Sequence, residues 1–314
     1  MLKVARIGPL AILFFVIFAF AVWLLLAVEL PGDSRVIYEL QNAGHTLVFC
    51  ALTAALIKVL HHYAFSTALP SIGVAVLLAI FFAGFSEFIQ PWFGRDSSWS
   101  DLYKNFLGIL AGVVFSFTWL ALAWKRKLAW IATALLILFG LCEPIYWYLA
   151  KIKRDSLFPV LGDFESALAS KYFNSSYRGK FQRVPTPEEW ANNRGTVAQV
   201  EFRSGKFPGF KAFDLRGNWS NYETLKFEIF NPHAEELELV IRIHDNQHNN
   251  EHNDRFNHTF KVPVGENHFS FNISDIEKTR SGRKLKLGSI RVMMLYMSRP
   301  KQAYTLYFDN FRLE

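Results

Sequence analysis

The sequence has 314 residues and a formal net charge of +7, and its charged residues are distributed unevenly. Residues 1–150 contain nine Lys and Arg and seven Asp and Glu, whereas the remaining residues contain 25 and 20, so the chain divides into an apolar part and a part of soluble composition. Because the positive charge is spread over both parts rather than gathered in one basic run, we do not expect nucleic acid as a partner.

Five apolar runs in the first half are long enough, or nearly so, to cross a hydrocarbon layer of ~30 Å, which takes about 20 helical residues. They lie at Ile7–Val28, Ala43–Leu60, Ile72–Phe93, Phe106–Trp124 and Leu128–Leu149. The first run is long, lacks a small-residue cleavage site and precedes four more runs, so we interpret it as a retained helix rather than a signal peptide. We predict a helical bundle over residues 1–127 and a fifth transmembrane helix over residues 128–150.

The Lys and Arg residues that flank these runs predict the orientation of the bundle. With the amino terminus in the cytoplasm, the inner flanks hold Lys3, Arg6, Lys58, Lys125, Arg126 and Lys127, and the outer loops hold Arg35, Arg95 and Lys104. We therefore predict a multi-pass protein of the bacterial inner membrane. An odd number of crossings places the carboxy-terminal domain outside the cytoplasm.

Polar residues interrupt the apolar sequence between the third and fourth runs. On the fourth helix, Asp101, Asn105, Gly108 and Gly112 fall within a stripe of roughly 60° at about 100° per residue. The predicted layout brings several polar residues to one depth near the outer membrane surface: His45, Glu87, Gln90, Arg95, Ser98, Asp101 and Asn105. Glu143 of the fifth helix lies about two turns below that surface.

Two interpretations of this polar cluster stay open. Ionisable groups in a membrane are costly, so they are expected to face one another or a water-filled cavity. In the structural interpretation, Glu87 pairs with Arg95, Asp101 caps the fourth helix and His45 completes a hydrogen bond. In the functional one, the cluster forms a pocket that is open to the outer surface and binds a polar head group.

The same residues carry a family resemblance. The motifs are Gly44-His45 followed by Phe49, then Glu87-x-x-Gln90, then Phe93-Gly94-Arg95 with Ser98, Asp101, Asn105 and Gly108. In this order they resemble the signature of the VanZ-like family over residues 10–125. The resemblance implies a small helical membrane domain of a family named for a protein linked to low-level resistance to the glycopeptide teicoplanin. It implies no defined reaction.

The second half begins with a linker, residues 151–195, in which Asp163–Tyr172 has helix-like character. From Thr196 onward, short alternating runs predict strands. They lie at Thr224–Asn231, Leu237–Ile243, Phe256–Val262, His268–Ile273, Ser289–Met297 and Tyr304–Leu313. Many short strands separated by turn residues indicate an antiparallel all-β sandwich or jelly roll over residues 196–314.

The segments DLRGNWSNYETLKFEIFNP and AYTLYFDNFRLE resemble galactose-binding-like and carbohydrate-binding jelly rolls. If the fold holds, Glu228, Phe230, Arg242 and His244 lie on the face opposite the apolar one. Aromatic rings cover the C–H faces of sugars and polar groups bind their hydroxyls, so this face suits a glycan. A merely solvated face is the alternative. The resemblance also suggests a structural calcium ion between Glu201 and Asp309.

The loop HDNQHNNEHNDRFNH, from His244 to His258, is rich in possible ligands. His248 and His252 are four residues apart, with Asp245 and Asp254 close by, and these are ligand types that zinc accepts. Four-residue spacing aligns ligands on a helix, however, and this Asn-rich loop is not a convincing helix. We expect Asp245, His248, Asp254 and Arg255 to contact glycan, and a structural loop remains the alternative.

Three functions fit these features. The first is an envelope protein that binds envelope glycan or a lipid-linked precursor without catalysis. The second is a membrane enzyme acting on a lipid-linked substrate, with His45 or Glu87 as general base and Arg95 holding a phosphate. The third is a scaffold for another envelope protein. The sequence contains no nucleophile elbow, phosphate loop or paired-cysteine motif, and no cofactor other than the calcium ion is expected.

Overall fold

The computed structural model describes residues 8–27, 30, 34–93, 99–120, 123–190, 195–215 and 217–314. The chain forms two compact units, residues 1–147 and residues 148–314. We refer to them as the helical unit and the sandwich unit, and we describe each by itself.

Six α-helices form the first part of the described chain, and the last of them begins in the helical unit and ends in the sandwich unit. Their bounds are α1 Pro9–Ala27, α2 Arg35–Tyr63, α3 Ala68–Ile89, α4 Trp99–Leu120, α5 Ala123–Gly140 and α6 Cys142–Leu157, with a 3₁₀ turn at Gln90–Phe93 after α3. By length and composition, three described helical segments could cross a membrane: Arg35–Tyr63, Ala68–Phe93 and Trp99–Leu120. The pair α5–α6 could form a fourth span. The predicted number of five is not confirmed.

Helix α2 begins eight residues before the predicted start at Ala43. Ser34 is its N-cap, and the Ser34 side chain accepts a hydrogen bond from the backbone N–H of Ile37. Such a cap satisfies one of the free N–H groups of the first turn, so a helix can start in polar sequence. The earlier start places Glu39 and Asn42 on the helix, where both are buried.

The predicted fifth helix, residues 128–149, is broken. Helices α5 and α6 meet at Leu141 with a bend of 47°. Pro144 lies in the first turn of α6 and has no N–H to donate to Gly140, so the hydrogen-bond ladder cannot continue through this point. Gly140 itself lies against α2, because an added Cβ would come 2.8 Å from Thr46 Oγ1.

Small residues set the close packing of α2 and α4. An added Cβ at Gly108 would come within 2.5 Å of the backbone oxygen of Thr46, and one at Gly112 within 2.6 Å of that of Cys50. The predicted glycine stripe of α4 therefore faces α2, and the two backbones approach closely along it.

The sandwich unit contains eleven strands among the described residues. They are β1 Val160–Gly162, β2 Phe173–Ser176, β3 Gly179–Pro185, β4 Thr196–Phe202, β5 Gly209–Phe213, β6 Thr224–Asn231, β7 Leu237–Asp245, β8 Phe256–Val262, β9 Gly265–Asn272, β10 Ile290–Tyr296 and β11 Tyr304–Leu313. One sheet has the order β3-β4-β11-β6-β9, with β1 pairing β11, and the other has the order β2-β5-β10-β7-β8. All pairs are antiparallel.

The two sheets enclose one hydrophobic core. On β6 the inward side chains are Leu225, Phe227 and Ile229, and on β7 they are Leu237, Leu239, Ile241 and Ile243. These are the alternating residues that predicted the strands, and the predicted two-sheet all-β fold is confirmed. A buried side chain at every second position leaves the intervening residues on the outer faces of the sheets.

The predicted start of the sandwich at residue 196 is too late. Strands β1, β2 and β3 come from the segment interpreted as a linker, and Phe164 and Phe173 are buried in the core. The helix-like character of Asp163–Tyr172 is also wrong, because only Ala169–Tyr172 forms a 3₁₀ turn. Phe164 has φ of 54°, which is incompatible with a right-handed helix at this residue, and its side chain is buried in the core.

Candidate functional site

Three predicted residues of the helical unit contact one another. His45 Nδ1 lies 2.8 Å from Asn105 Oδ1, and Asn105 Nδ2 donates to Glu87 Oε1 at 3.1 Å. His45 Nδ1 and Glu87 Oε1 are 3.9 Å apart. Since Asn105 donates through its nitrogen to Glu87, its oxygen faces His45, and Nδ1 of His45 carries the proton. The basic nitrogen of the imidazole is then Nε2.

The remaining predicted residues of this cluster lie in the same unit or outside the described residues. Gln90 and Asp101 are buried, with exposed fractions of 0% and 2%. Both amide atoms of Gln90 lack a hydrogen-bond partner among the described residues. Asp101 lies inside the first turn of α4 rather than before it. Arg95 and Ser98 fall outside the described residues, and so does the predicted pairing of Glu87 with Arg95.

A second ionic network, which sequence reasoning missed, lies in the helical unit. Lys104 Nζ is 3.3 Å from Glu39 Oε2 and 3.0 Å from Glu143 Oε2, and Arg35 lies 2.6 Å from the other oxygen of Glu39. Lys104 and Glu39 are buried, and two cations balance two anions. The sequence prediction placed Lys104 in an outer loop. The sequence does contain an indication of this network. Glu39, Asn42 and Thr46 are spaced three and four residues apart, so they would lie on one face of a helix that starts as early as Arg35.

The four residues expected to form a single glycan-binding face lie on two different sheets of the sandwich. Glu228 and Phe230 lie on β6 of one sheet, whereas Arg242 and His244 lie on β7 of the other. Phe230 is buried and stacks on Trp190 with ring centroids 5.7 Å apart, so it is not available to a sugar. The shared-face interpretation is therefore wrong, because side-chain alternation alone does not indicate which sheet a strand joins.

The two loop carboxylates bind an arginine rather than a solvent-exposed ligand. Arg283 donates through Nη1 and Nη2 to Asp245 at 2.7 and 3.0 Å and through Nε to Asp254 at 2.5 Å. The hydrogen bonds from Arg283 and from the backbone of Asn249 lower the pKa of Asp254 to about 2. Asp245, Asp254 and Arg283 therefore fix the loop, and Arg283 is a further residue that sequence reasoning missed.

The loop histidines pack against this structure. His248 Nδ1 lies 2.9 Å from the backbone oxygen of Asp254, and its ring stacks on His244 with centroids 4.4 Å apart. Burial, with the charge of Arg242 next in importance, lowers the pKa of His244 to about 3, so this imidazole is neutral. Within the described part of the chain, no group of three or more His, Cys, Asp or Glu could hold a metal ion.

The suggested calcium ligands do not meet. Glu201 pairs with Thr305 across β4 and β11, and Asp309 is four residues further along β11, which is about 13 Å of strand. Glu201 forms two hydrogen bonds with Arg203, both at 3.0 Å. The strand register therefore does not bring Glu201 and Asp309 together as the resemblance suggested.

The outer face of the five-stranded sheet carries a different set of polar and aromatic groups. Tyr177, Phe207 and Tyr296 form a chain of rings, with centroid distances of 6.2 and 5.6 Å. Tyr177 is 68% exposed. Met294 pairs with Arg242, so Tyr296, two residues further along β10, lies diagonally across from Arg242 on the same face. Lys211 pairs with Met294 from the other side.

Arg255 completes this outer face. It directly precedes β8, and it donates through Nε to Asn257 Oδ1 at 3.1 Å. Asn257 in turn pairs with Arg242 across β7 and β8. We call this surface the cationic face; it consists of Tyr177, Phe207, Lys211, Arg242, His244, Arg255 and Tyr296. Rings and donors side by side can bind a ligand that has both apolar C–H faces and hydrogen-bonding oxygens.

No family model and no curated protein matches the sequence. Several solved structures are similar. A family 11 carbohydrate-binding module from Clostridium thermocellum, in complex with a β-1,3-1,4-mixed-linked tetrasaccharide, is 16% identical with a TM-score of 0.37, and the match covers 49% of this chain and 93% of the module.

Similar structures also include enzymes. An exo-β-agarase is 14% identical with a TM-score of 0.40 over 49% of this chain and 24% of the agarase. The CBM22-1–GH10 modules of a C. thermocellum xylanase, complexed with xylohexaose, are 15% identical with a TM-score of 0.33. The match covers 48% of this chain and 27% of the xylanase modules. This chain thus matches about a quarter of each enzyme's length. These similarities concern fold alone, and the two-sheet sandwich rests on the strand pairing described above.

Proposed function

We propose that this chain is an integral membrane protein of the bacterial cell envelope whose sandwich unit binds glycan outside the cytoplasm. The helical unit supplies three or four candidate spans. The Lys and Arg residues flanking them favour a cytoplasmic amino terminus. A glycan-binding domain needs to be on the side where the polymers of the envelope are.

The single observation that carries the proposal is the exposed ring of Tyr177 on the same face as the hydrogen-bond donors of Arg242 and Arg255. Tyr177 is 68% exposed, and its ring lies against Phe207, which packs in turn on the buried ring of Tyr296. Arg242 Nη2 lies 3.4 Å from His248 Nε2, and Arg242 Nε has no partner among the described residues. Donors of this kind bind sugar oxygens, and the rings cover C–H surfaces.

Binding of glycans to the full-length protein in detergent tests this proposal. Isothermal titration with peptidoglycan fragments and envelope polysaccharides is expected to give saturable binding. Tyr177→Ala should weaken it at least tenfold, the loss of about 1.4 kcal/mol expected for one ring contact. Tyr103→Ala, which removes a 53% exposed tyrosine of the helical unit, is the control. Absence of binding at millimolar ligand would refute the glycan proposal.

Reporter fusions test the orientation separately. Alkaline phosphatase fused after residue 314 should be active, since the enzyme folds only outside the cytoplasm, and a green fluorescent protein fused at the same point should be dark. The opposite pattern would place the sandwich unit in the cytoplasm. Envelope glycan would then be out of its reach.

A second candidate function concerns the helical unit. We propose that its polar cluster, which carries the VanZ-like resemblance, binds the polar head group of a lipid or of a lipid-linked precursor. The observation in its favour is the buried amide of Gln90, whose two polar atoms have no hydrogen-bond partner among the described residues. A ligand with a donor and an acceptor would satisfy both atoms.

Glu87→Gln separates binding from catalysis at this cluster. If Glu87 is a general base acting on a lipid-linked substrate, the variant should lose activity in a teicoplanin-sensitivity assay while the folded protein is recovered in normal yield. If Glu87 only orients His45 through Asn105, the assay should change little and the stability should fall. Recovery of a stoichiometric partner protein through the sandwich unit would favour the scaffold function instead.

A further inference from the structure

We infer that the cationic face binds an anionic glycan, whose carboxylate or phosphodiester groups pair with Arg242, Arg255 and Lys211. The inference rests on the proposed glycan-binding function and adds the chemical class of the ligand. It follows from how charges are distributed over the outer face of the five-stranded sheet.

Cross-strand register arranges the outer residues of this sheet in rows. The central row runs through Asn174, Lys211, Met294, Arg242 and Asn257. The row on one side holds Ser176, Gly209, Tyr296, Val240 and Thr259. The row on the other side holds Phe213, Val292 and His244, and Arg255 lies next to it. None of these side chains is acidic.

The cations of this face are not compensated by acidic side chains. Among the described residues, Lys211, Arg242 and Arg255 form no ion pair with a carboxylate, and the contacts of Arg242 and Arg255 are with His248 and Asn257. Asp245, three residues from Arg242 on β7, lies on the opposite face of the strand by alternation and binds Arg283. On the outer face of β7 the nearest acid is Glu238, four residues or about 13 Å from Arg242, and it lies opposite Lys261.

Other arginines of the sandwich unit provide a contrast. Arg203 pairs with Glu201, Arg312 with Glu314, and Arg283 with Asp245 and Asp254. These three arginines are matched with carboxylates, whereas Lys211, Arg242 and Arg255 can pair with an anionic partner outside the chain.

The cations also repel one another in a partly desolvated setting. Lys211 and Arg242 are two strands apart, which is about 10 Å, and Arg255 adjoins Arg242. Burial and the charge of Arg255 lower the pKa of Arg242. Bringing three positive groups together costs free energy that an anion would recover, because guanidinium groups form bidentate hydrogen bonds with carboxylate and phosphate. Neutral sugars would use the rings but leave this repulsion in place.

Pairs of polymers that differ only in charge test the inference on the full-length protein in detergent. The uronate arm compares polygalacturonate with its fully methyl-esterified form. The phosphate arm compares poly(glycerol phosphate) lipoteichoic acid with a neutral mixed-linkage β-glucan. At least one anionic polymer should bind at least tenfold more tightly than either neutral polymer, and its affinity should fall when NaCl is raised from ~0.05 M to ~0.5 M.

Variants link that preference to the cationic face. Arg242→Gln with Arg255→Gln should abolish the preference for the anionic polymer, while binding through the rings persists. The matched control is Arg203→Gln with Arg312→Gln, which removes the same net charge from arginines that are already paired, and it should keep the preference. Melting temperatures of both double variants show that the fold is intact.

The outcomes separate this inference from the proposed function. If neutral polymers bind as tightly as anionic ones, or if the Arg242 and Arg255 variant keeps the preference, the anionic inference is overturned and glycan binding stands. If both double variants lose the preference equally, net charge rather than this face is responsible, and the inference is again overturned. If no polymer binds, the proposed function fails together with it.

Discussion

The two units of this protein place apolar and charged side chains in opposite ways. In the helical unit Lys104 is 3% exposed, while apolar side chains such as Leu69 and Phe81 are 80% and 71% exposed. In the sandwich unit Phe227 and Phe308 are fully buried, and Arg242 and Lys211 lie on the outer face of a sheet. The first arrangement suits lipid as the surrounding solvent, and the second suits water.

The contrast extends to how charges are paired. In the helical unit the buried Lys104 and Glu39 are balanced within the unit by Glu143 and Arg35, because an unpaired ion away from water is costly. In the sandwich unit Arg283 is paired with Asp245 and Asp254 in the same way. The cations of the cationic face have no carboxylate partner among the described residues, and their charge can be solvated by water. Charged side chains thus indicate candidate sites for different reasons in the two units. In the helical unit they do so because they are buried, and on the cationic face because they have no carboxylate partner among the described residues.

The largest stability effect is expected at the buried ion cluster of the sandwich. Arg283→Met would leave Asp245, with a side chain 0% exposed, and Asp254 without their cation. Loss of one partner of a buried ion pair typically costs about 3–5 kcal/mol. Faster hydrogen–deuterium exchange in β7 and β8 would report the loss. Arg280→Met, which changes an exposed arginine nearby, is the control, and equal exchange in the two variants would contradict the account.

A smaller effect is expected for the corresponding change in the helical unit. Lys104→Met removes a cation from Glu39, but Arg35 still lies 2.6 Å from that carboxylate, so we expect a loss of about 2–3 kcal/mol, less than a fully orphaned ion would cost. Adding Glu39→Gln should restore part of the stability, and a double-mutant cycle measures the coupling. Strictly additive losses would show that the two residues do not interact.

The glycine contacts between α2 and α4 give the next effect in size. Gly108→Ala would force a Cβ against the backbone of Thr46, and such overpacking costs about 1–3 kcal/mol. Gly84→Ala on α3 meets nothing within 4 Å and should be neutral or stabilising, by up to about 1 kcal/mol from helix propensity. The thermal stability of the full-length protein in detergent checks both variants. A reversed order would contradict the packing.

Near neutral pH, the smallest expected effect is the pH dependence that His244 gives to the sandwich. Its pKa is lowered from 6.5 to about 3, so between these values the unfolded chain binds a proton that the folded protein excludes. Stability should therefore decrease as the pH falls below 6.5, by less than about 1.4 kcal/mol per pH unit. His244→Gln should flatten this slope in denaturant titrations, and His258→Gln, an exposed position on β8, serves for comparison. An unchanged slope in His244→Gln would be the contrary result.

Sequence patterns predicted the sandwich better than its sites. Alternating residues such as Phe227 and Ile241 identified β6 and β7, because burial on one face leaves a period of two. The short strands β1 and β2 were missed, since three or four residues are too few to show a period. The expected site joined Phe230 to Arg242 because alternation does not specify which sheet a strand enters.

In the helical unit, apolar length found the helices but misplaced their ends. Ser34 starts α2 by capping, and Pro144 helps to break the predicted fifth helix, so local chemistry decided both boundaries. His45, Glu87 and Asn105 could be selected from sequence because polar residues in apolar runs are rare. Lys104 was missed because a lysine near a predicted loop looked like an orientation signal rather than a buried ion.

Hydrogen–deuterium exchange of the full-length protein tests the central claim most directly. It is measured with and without a saturating concentration of the anionic polymer, polygalacturonate or lipoteichoic acid, that binds more tightly. Added protection is expected only in β5, β7, β10 and the start of β8, which carry the cationic face, with β4, β6 and β11 unchanged. Protection on β4, β6 and β11 instead, or only in the helical unit, would contradict the claim.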